Sequence, residues 1–338
     1  MIEASPRELP EARPVWKSAG GKTRLLPELT RYAPRWFRRY FEPFAGGAAL
    51  FFHLMAIDGL VSGAVLNDDN PHLANVYRMV AGDVEGVIAE LETLQTWHRH
   101  GPAEAFKLAK AELNGSSTGF AGLRPGGRQL EDSLSPATPT PSLTRAAALA
   151  LYLNRTGFNG LWRVNRAGHY NVPLGRYDHQ TLDVVRANAL RAAAGVLGRS
   201  DVEIRCGGYA DGARDAGDGD FAFFDPPYAA VNATANFVGY TRNGFGEDEQ
   251  RGLEMWAREL ATSGVHVMLS NADVPLVREI YGRPPWRIHA VTAARVINSK
   301  GDARGKVGEV IVTSYETGEA GDGESASRRV PAREPAKP

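Results

Sequence analysis

Four apolar residues in a row, Phe221-Ala222-Phe223-Phe224, three of them aromatic, run into Asp225 and two consecutive prolines. Such a run reads as a buried strand, and the double proline ends it abruptly: φ is fixed twice and two N–H donors are lost. The rest of the chain has to be arranged around a strand of that kind. Upstream, an aromatic strand near residue 40 leads through small residues into an apolar helix, and a second strand begins near Val65. Helical periodicity follows over 71–80, 83–98, 103–114, 143–153 and 180–197, and a strand is expected at 201–205. After Tyr228 come an amphipathic helix over 247–263, an apolar strand at 265–269, a short helix at 273–280 and two alternating runs, 287–297 and 307–315.

Strand–helix alternation, an interruption, and renewed alternation closing on an antiparallel pair predict an α/β fold. The expectation is a doubly wound, Rossmann-like sheet, mixed because its last strand pair is antiparallel, with a helical and β-hairpin unit inserted. The catalytic part is expected over 15–75 and 200–316 and the inserted unit over 76–199. Its hairpin is expected at about 157–177, and a flexible Gly/Ser/Pro-rich loop over 115–142. Residues 1–14 read as a flexible lead-in and 317–338 as a disordered tail. The polar stretch 232–240 has the texture of a mobile loop beside a site.

The bulk numbers exclude several classes. Formal net charge is +0, so a nucleic-acid partner would need a local basic patch rather than a global field. A single cysteine, Cys206, leaves no internal disulfide and no cysteine-rich zinc site, and fits a reducing interior. No signal peptide or membrane span is legible, and no metal-ligand pattern either; the expectation is a cytoplasmic, nucleoid-associated chain.

The strand end at Asp225 has its own chemistry. A carboxylate, the carbonyls left free by Pro226 and Pro227, and the flat face of Tyr228 suit a planar amino group. Its two hydrogens would be accepted by Asp225 and the Pro226 carbonyl while the ring stacks on the face. The sequence Glu42-Pro43-Phe44-Ala45-Gly46-Gly47 is a strand–glycine turn–helix unit, in which backbone comes close to a ligand. Asp68, 22 residues beyond Gly46, stands where a second-strand acid reaches ribose hydroxyls. Gly20-Gly21-Lys22-Thr23 is no phosphate loop, because Trp16 occupies the place of the first glycine that motif requires.

The basic patch lies in 154–177. It holds Arg155, Arg163, Arg166 and Arg176 with His169, has no acid, and interleaves Phe158, Trp162, Tyr170 and Tyr177. Asn165-Arg166-Ala167-Gly168 reads as a hairpin tip. A second acid-free stretch, 31–39, fits either a phosphate-facing helix end or a solvated face.

Together, Ala19-Gly20-Gly21-Lys22, the Glu42–Gly47 turn, the hairpin with Phe158-Asn159-Gly160-Leu161 and Asn171-Val172-Pro173, and Asp225-Pro226-Pro227-Tyr228 followed by Ala233-Thr234-Ala235-Asn236-Phe237 resemble the Dam-type DNA adenine N6-methyltransferases. The order matches the family form with target recognition between cofactor and catalytic motifs. The resemblance implies S-adenosylmethionine as cofactor, held by Trp16, Lys22, Glu42, Phe44, Gly46, Asp68 and Asp225. Trp16 is the candidate for an aromatic residue that the family carries four positions before the lysine, where this chain has Ser18. The resemblance also implies double-stranded DNA as partner, with Asn159 on phosphate and Leu161, Arg163 and Pro173 on bases of a GATC-like site. Arg155 and Arg166 join them from the basic patch. Catalysis would fall to Asp225, Pro226, Pro227 and Tyr228.

Adenine N6 is a weak nucleophile, its lone pair delocalised into the ring. Accepting both its hydrogens localises that pair, and the base must first leave the duplex at a cost of a few kcal/mol. Cytosine N4 methylation needs the same clamp, though such enzymes more often carry serine at the Asp225 position. A catalytically silent DNA-binding protein with this fold, or a protein side-chain amide methyltransferase, are the other readings. The restriction or housekeeping role and the oligomeric state have no sequence signal.

Overall fold

The computed structural model describes residues 11–18, 20–57, 61–115, 141–230, 245–291 and 308–317. The loop expected at 232–240, nearly all of 115–142, the end of the 287–297 run and the tail lie outside them. Seven strands form one sheet in the order β3-β2-β1-β4-β5-β7-β6. They are β1 (Tyr40–Glu42), β2 (Ala64–Asp68), β3 (Val202–Cys206), β4 (Phe221–Phe224), β5 (His266–Ala272), β6 (Arg287–Val291) and β7 (Glu309–Thr313). Only β7 runs against the others, so the sheet is mixed as expected.

The apolar run at 221–224 forms β4 in the middle of this sheet, between β1 and β5. Its residues are 0% exposed because both faces are covered: Phe221 and Phe223 enter one core, Ala222 and Phe224 the other. The chain winds outward from β1 through β2 to β3, then returns to β4 and winds the other way. The carboxyl ends of β1 and β4 therefore sit side by side at the point where the strand order reverses, the crevice where ligands bind in doubly wound sheets.

On one face lie α1 (Leu26–Tyr32), α2 (Ala49–Met55) and α3 (Pro71–Gly82). Pro71 opens α3, and the Asn70 side chain caps it by accepting from the His72 N–H at 3.1 Å. Between β2 and β3 the chain adds α4 (Val84–His100), α5 (Pro102–Gly115), α6 (Leu143–Thr156) and α7 (Ala187–Leu197). Residues 146–156 of α6 are all buried, so this alanine- and leucine-rich helix is the centre of the helical layer, with α3, α4 and α5 packed around it. The apolar cluster on this side of the sheet runs without a break from β1 and β4 into α6 and the hairpin. The line expected at 75/76 passes through α3, which touches β2 and β3 as well as α6 and α7.

The helix expected over 180–197 begins only at Ala187. Asp178 and Asp183 hold local turns through the N–H groups of Gln180, Val185 and Arg186, and Arg186 adopts φ +49, so helix cannot start earlier. The opposite face of the sheet carries α8 (Tyr209–Gly212), α9 (Glu247–Thr262) and α10 (Pro275–Ile280). Helix α9 buries Gln250, Leu253, Ala257 and Leu260, one stripe of an otherwise polar helix. Among the described residues no helix is long and apolar enough to cross a membrane.

Candidate active site

At the end of β1 the chain turns through Pro43 and Gly46 into α2. Gly46 has φ +47 and donates its N–H to Asp68 Oδ2 at 3.0 Å. Asp68 Oδ1 accepts from the Asn70 N–H at 2.9 Å, so each oxygen of this carboxylate already holds one backbone bond. Burial and the neighbouring Asp69 push Asp68 above the usual carboxylate range, against the pull of those two donors. The segment 14–18 lies across the turn: a Cβ on Gly46 would come 3.2 Å from Ser18 Oγ, and one on Gly47 3.2 Å from the Trp16 carbonyl. A larger residue at either position would push that segment off. Phe44 is half-buried and stacks on Tyr209 at 5.7 Å.

Glu42 is buried at the end of β1 and accepts from the Tyr40 hydroxyl at 2.9 Å. Burial, with the nearby Asp225 charge, raises it to about 8, although bonds from Tyr40 and the Phe51 N–H oppose the rise. Glu42 is therefore mostly protonated at neutral pH.

Asp225 leaves β4 next to this turn. Its Oδ1 is held by Lys22 Nζ at 2.7 Å and by the Ser270 hydroxyl at 2.7 Å. Among the described residues no donor reaches Asp225 Oδ2 or the Pro226 carbonyl. Lys22 also donates to the Gly20 carbonyl at 2.8 Å and lies 4.7 Å over the Tyr228 ring. The lysine expected in the cofactor set thus lies against both Asp225 and Tyr228. Tyr228 donates its hydroxyl to Glu309 Oε2 at 2.9 Å, and burial pushes that hydroxyl well above its usual range. Pro227 accepts at its carbonyl from Gln250 Nε2 at 2.8 Å. Ser270, Asn271, Gln250 and Glu309 had no signal as site residues. They come from β5, α9 and β7, and only pairing of distant strands sets them around the loop.

Residues 164 and 170 pair antiparallel, as do 157 and 174. The Asn165 N–H donates to the His169 carbonyl and the Asn171 N–H to the Arg163 carbonyl across the hairpin, and the Gly168 N–H returns to the Asn165 carbonyl at the tip. Trp162 and Tyr170 are buried on its inner side, while Arg163, Arg166, Pro173 and Arg176 are exposed and Leu161 is half-buried. Asn159 is exposed with φ +54, a conformation asparagine tolerates. Beside it Phe158 is 42% exposed, an aromatic side chain the residue assignments passed over.

Two assignments change. Arg155 does not belong to the basic surface: it is 2% exposed and donates to the carbonyls of Val184, Val185 and Val15. Burial, with the Arg186 charge, lowers it to about 9. The Trp16 ring is 5% exposed and packs on Trp162, 4.8 Å away, so it joins the core beneath the hairpin rather than an open cleft. Stretch 31–39 precedes β1 and so lies at the other end of the sheet from Asp225. There Arg39 pairs with the buried Asp220 at 2.9 Å, and of this stretch only Arg31 and Tyr32 are helical. Among the described residues no group of three or more His, Cys, Asp or Glu side chains is placed to hold a metal.

A sheet wound in this order, with the Asp225 strand end beside a glycine turn at its switch point, has the Rossmann-like methyltransferase fold. The chain belongs within it to the D12 class N6 adenine-specific DNA methyltransferases, the family that matches residues 18–297. It is 34% identical over 304 residues to a type II methyltransferase of Lactococcus lactis subsp. cremoris, M1.LlaDCHI, covering 90% of this chain and 95% of that protein. It is 31% identical to the Methanocaldococcus jannaschii type II methyltransferase M.MjaIII, covering 90% of this chain and all of that one. It is also 31% identical to the DNA adenine methylase of Escherichia coli K12, over 88% and 94% of the two chains. The protein is thus an adenine-specific DNA methyltransferase, and the cytosine, silent and protein-amide readings fall away.

Proposed function

We propose that this enzyme takes its methyl group from S-adenosylmethionine held over the Gly46 turn and delivers it to N6 of an adenine flipped out of duplex DNA. The residues present fit that cofactor. The turn is cleared of side chains at Gly46 and Gly47, Phe44 offers a half-buried ring, and Glu42, Asp68 and Asp225 gather carboxyl groups at the crevice. When bound, S-adenosylmethionine supplies an electrophilic methyl on a positively charged sulfur. The chain's own part is to hold and activate the amine.

The observation that carries this reading is the division of labour on Asp225. With Oδ1 locked by Lys22 and Ser270, the carboxylate is fixed in rotation and presents Oδ2 as acceptor for one N6 hydrogen. The Pro226 carbonyl accepts the other hydrogen. Stacking on Tyr228, about 1–3 kcal/mol per base, offsets part of the unstacking cost. Lys22 keeps a cation beside the clamp and is displaced along the Tyr228 ring, or shares it, when the base enters.

Arg163, Arg166 and Arg176 supply the phosphate- and base-facing surface, with Asn159, Leu161 and Pro173 beside them. A guanine in the recognition site follows from the bidentate reach of Arg163, and a GATC-like site from the family resemblance. Three measurements test the reading. Calorimetric titration should show S-adenosylmethionine binding to the wild type. Digestion of the product DNA should yield N6-methyladenine at one mapped sequence. Asp225→Ala should lose about a thousandfold or more in tritiated-methyl transfer while binding the same duplex. Near-normal transfer by that variant would remove the clamp.

A further inference from the structure

The Asp-Pro-Pro-Tyr segment is gripped by two side chains for which the reaction itself has no use. Gln250 on α9 and Asn271 on β5 are 1% and 0% exposed. They form a one-way chain of hydrogen bonds. The Ala229 N–H donates to Asn271 Oδ1 at 3.0 Å, Asn271 Nδ2 donates to Gln250 Oε1 at 3.0 Å, and Gln250 Nε2 donates to the Pro227 carbonyl at 2.8 Å. A backbone N–H only donates and a carbonyl only accepts. Turning the Gln250 amide over would therefore break two bonds at once, and turning Asn271 over would also lose the Ala272 N–H bond to its Oδ1 at 2.8 Å, so the chain has a single direction.

Its two ends fall on the two peptide groups that flank Tyr228. The Pro227 carbonyl belongs to the peptide before that residue and the Ala229 N–H to the peptide after it. Holding both planes sets φ and ψ of Tyr228 and so the direction in which its ring leaves the backbone. The segment has little means of doing this alone, since Pro226 and Pro227 contribute no N–H. Occupying the Pro227 carbonyl also assigns the acceptors: Gln250 takes Pro227, and the Pro226 carbonyl is left for the substrate. Glu309 holds the far end of the same ring at its hydroxyl.

We propose that Gln250 and Asn271 are positioning residues for methyl transfer, a buried brace that aims the Tyr228 ring and the Pro226 carbonyl at the flipped base. The proposal rests on the clamp described above. It places two residues, neither within reach of the reacting atoms, in control of the rate.

The test exploits the direction of the chain. Gln250→Glu keeps the shape and still accepts from Asn271, but a carboxylate cannot donate to the Pro227 carbonyl; the protonated acid can. At about pH 8.5 its single-turnover methylation rate should fall about tenfold or more, with S-adenosylmethionine and duplex affinities within about threefold of wild type. Its rate divided by the wild-type rate, which cancels titration of Asp225, Glu42 and Glu309, should climb about fivefold or more on going down to about pH 6. Gln250→Leu, which has no donor at any pH, should stay low and flat. With 2-aminopurine replacing the target adenine, the bound Gln250→Glu complex should be brighter than wild type at high pH and converge with it at low pH, because a misaligned Tyr228 quenches the flipped base less.

A folded Gln250→Glu enzyme that keeps its rate within about twofold of wild type at every pH overturns the proposal. So does a loss that is flat in pH and matched by weaker binding of both ligands, the signature of a packing defect alone. Should Gln250→Glu not fold, Asn271→Asp asks the same question, since it keeps the acceptor for Ala229 and donates to Gln250 only when protonated. An Asp225→Ala arm separates the two levels. Full activity there removes the clamp and the brace with it, whereas an inactive Asp225→Ala beside an unaffected Gln250→Glu removes the brace alone.

Discussion

The Asp-Pro-Pro-Tyr segment 225–229 and the hairpin 154–177 are both short, and both lie at the end of larger elements, yet they are built on opposite plans. The first is fastened through a polar atom in four of its five residues: Asp225 by Lys22 and Ser270, Pro227 by Gln250, Tyr228 by Glu309, Ala229 by Asn271. The second buries Trp162 and Tyr170 along its inner side and sends exposed arginines outward. Polarising one amine demands acceptors fixed to fractions of an ångström. Reading a duplex tolerates long side chains that settle on their partners, with much of the affinity coming from charge alone.

Arg155 gives the sharpest way to break this comparison, because by sequence it belongs to the hairpin and by structure to the frame. Arg155→Met should cost about 2–4 kcal/mol of stability, since three buried carbonyls lose their donor. Duplex affinity of the folded fraction should not change. Denaturant unfolding and a binding titration on the same sample decide it, and a specific loss of DNA binding would return Arg155 to the surface set.

Arg163→Ala should cost about 1–3 kcal/mol of duplex binding and relax discrimination at one base pair. Arg166→Ala should weaken all sequences alike and reduce the salt slope by about one. Equal sequence dependence in the two variants would show that the hairpin reads no base through Arg163.

The smallest effect is on pH. The carboxyl of Glu42, raised to about 8, keeps its proton in the folded enzyme where the unfolded chain loses it at its ordinary value. Its contribution to stability is therefore full below the unfolded value and is lost as pH rises through about 8. Glu42→Gln carries no proton to lose. Its melting temperature relative to wild type should rise between pH 5 and pH 9, by about 2–4 °C for each kcal/mol recovered. A difference that stays constant with pH would mean that Glu42 is ionised in the fold.

Much of the catalytic segment is local in its causes. A continuous apolar strand, two prolines and a tyrosine dictate a buried strand end with free acceptors and an aromatic face whatever surrounds them. The hairpin tip at Asn165–Gly168 and the cap at Asn70 are legible for the same reason: each is decided within a few residues. Arg155 was misplaced because composition records that a segment is basic, not which of its arginines a helix turns inward. Trp16 belongs to a core that only the stacking of the N-terminal segment on the hairpin creates. The start of α7 was placed seven residues early because aspartate side chains compete for the backbone there.

By itself the sequence determined the alternation of elements, the buried strand end at Asp225 and the presence of a basic hairpin, since each depends on neighbours along the chain. The tertiary structure alone decided that β1 and β4 lie side by side, which brings Glu42 and Asp225 into one crevice. It decided too that Lys22, Ser270, Gln250, Asn271 and Glu309 surround the Asp-Pro-Pro-Tyr turn. Such partners are set by strand order and by which face of a helix is buried, and both are properties of the whole packed chain rather than of any stretch of it.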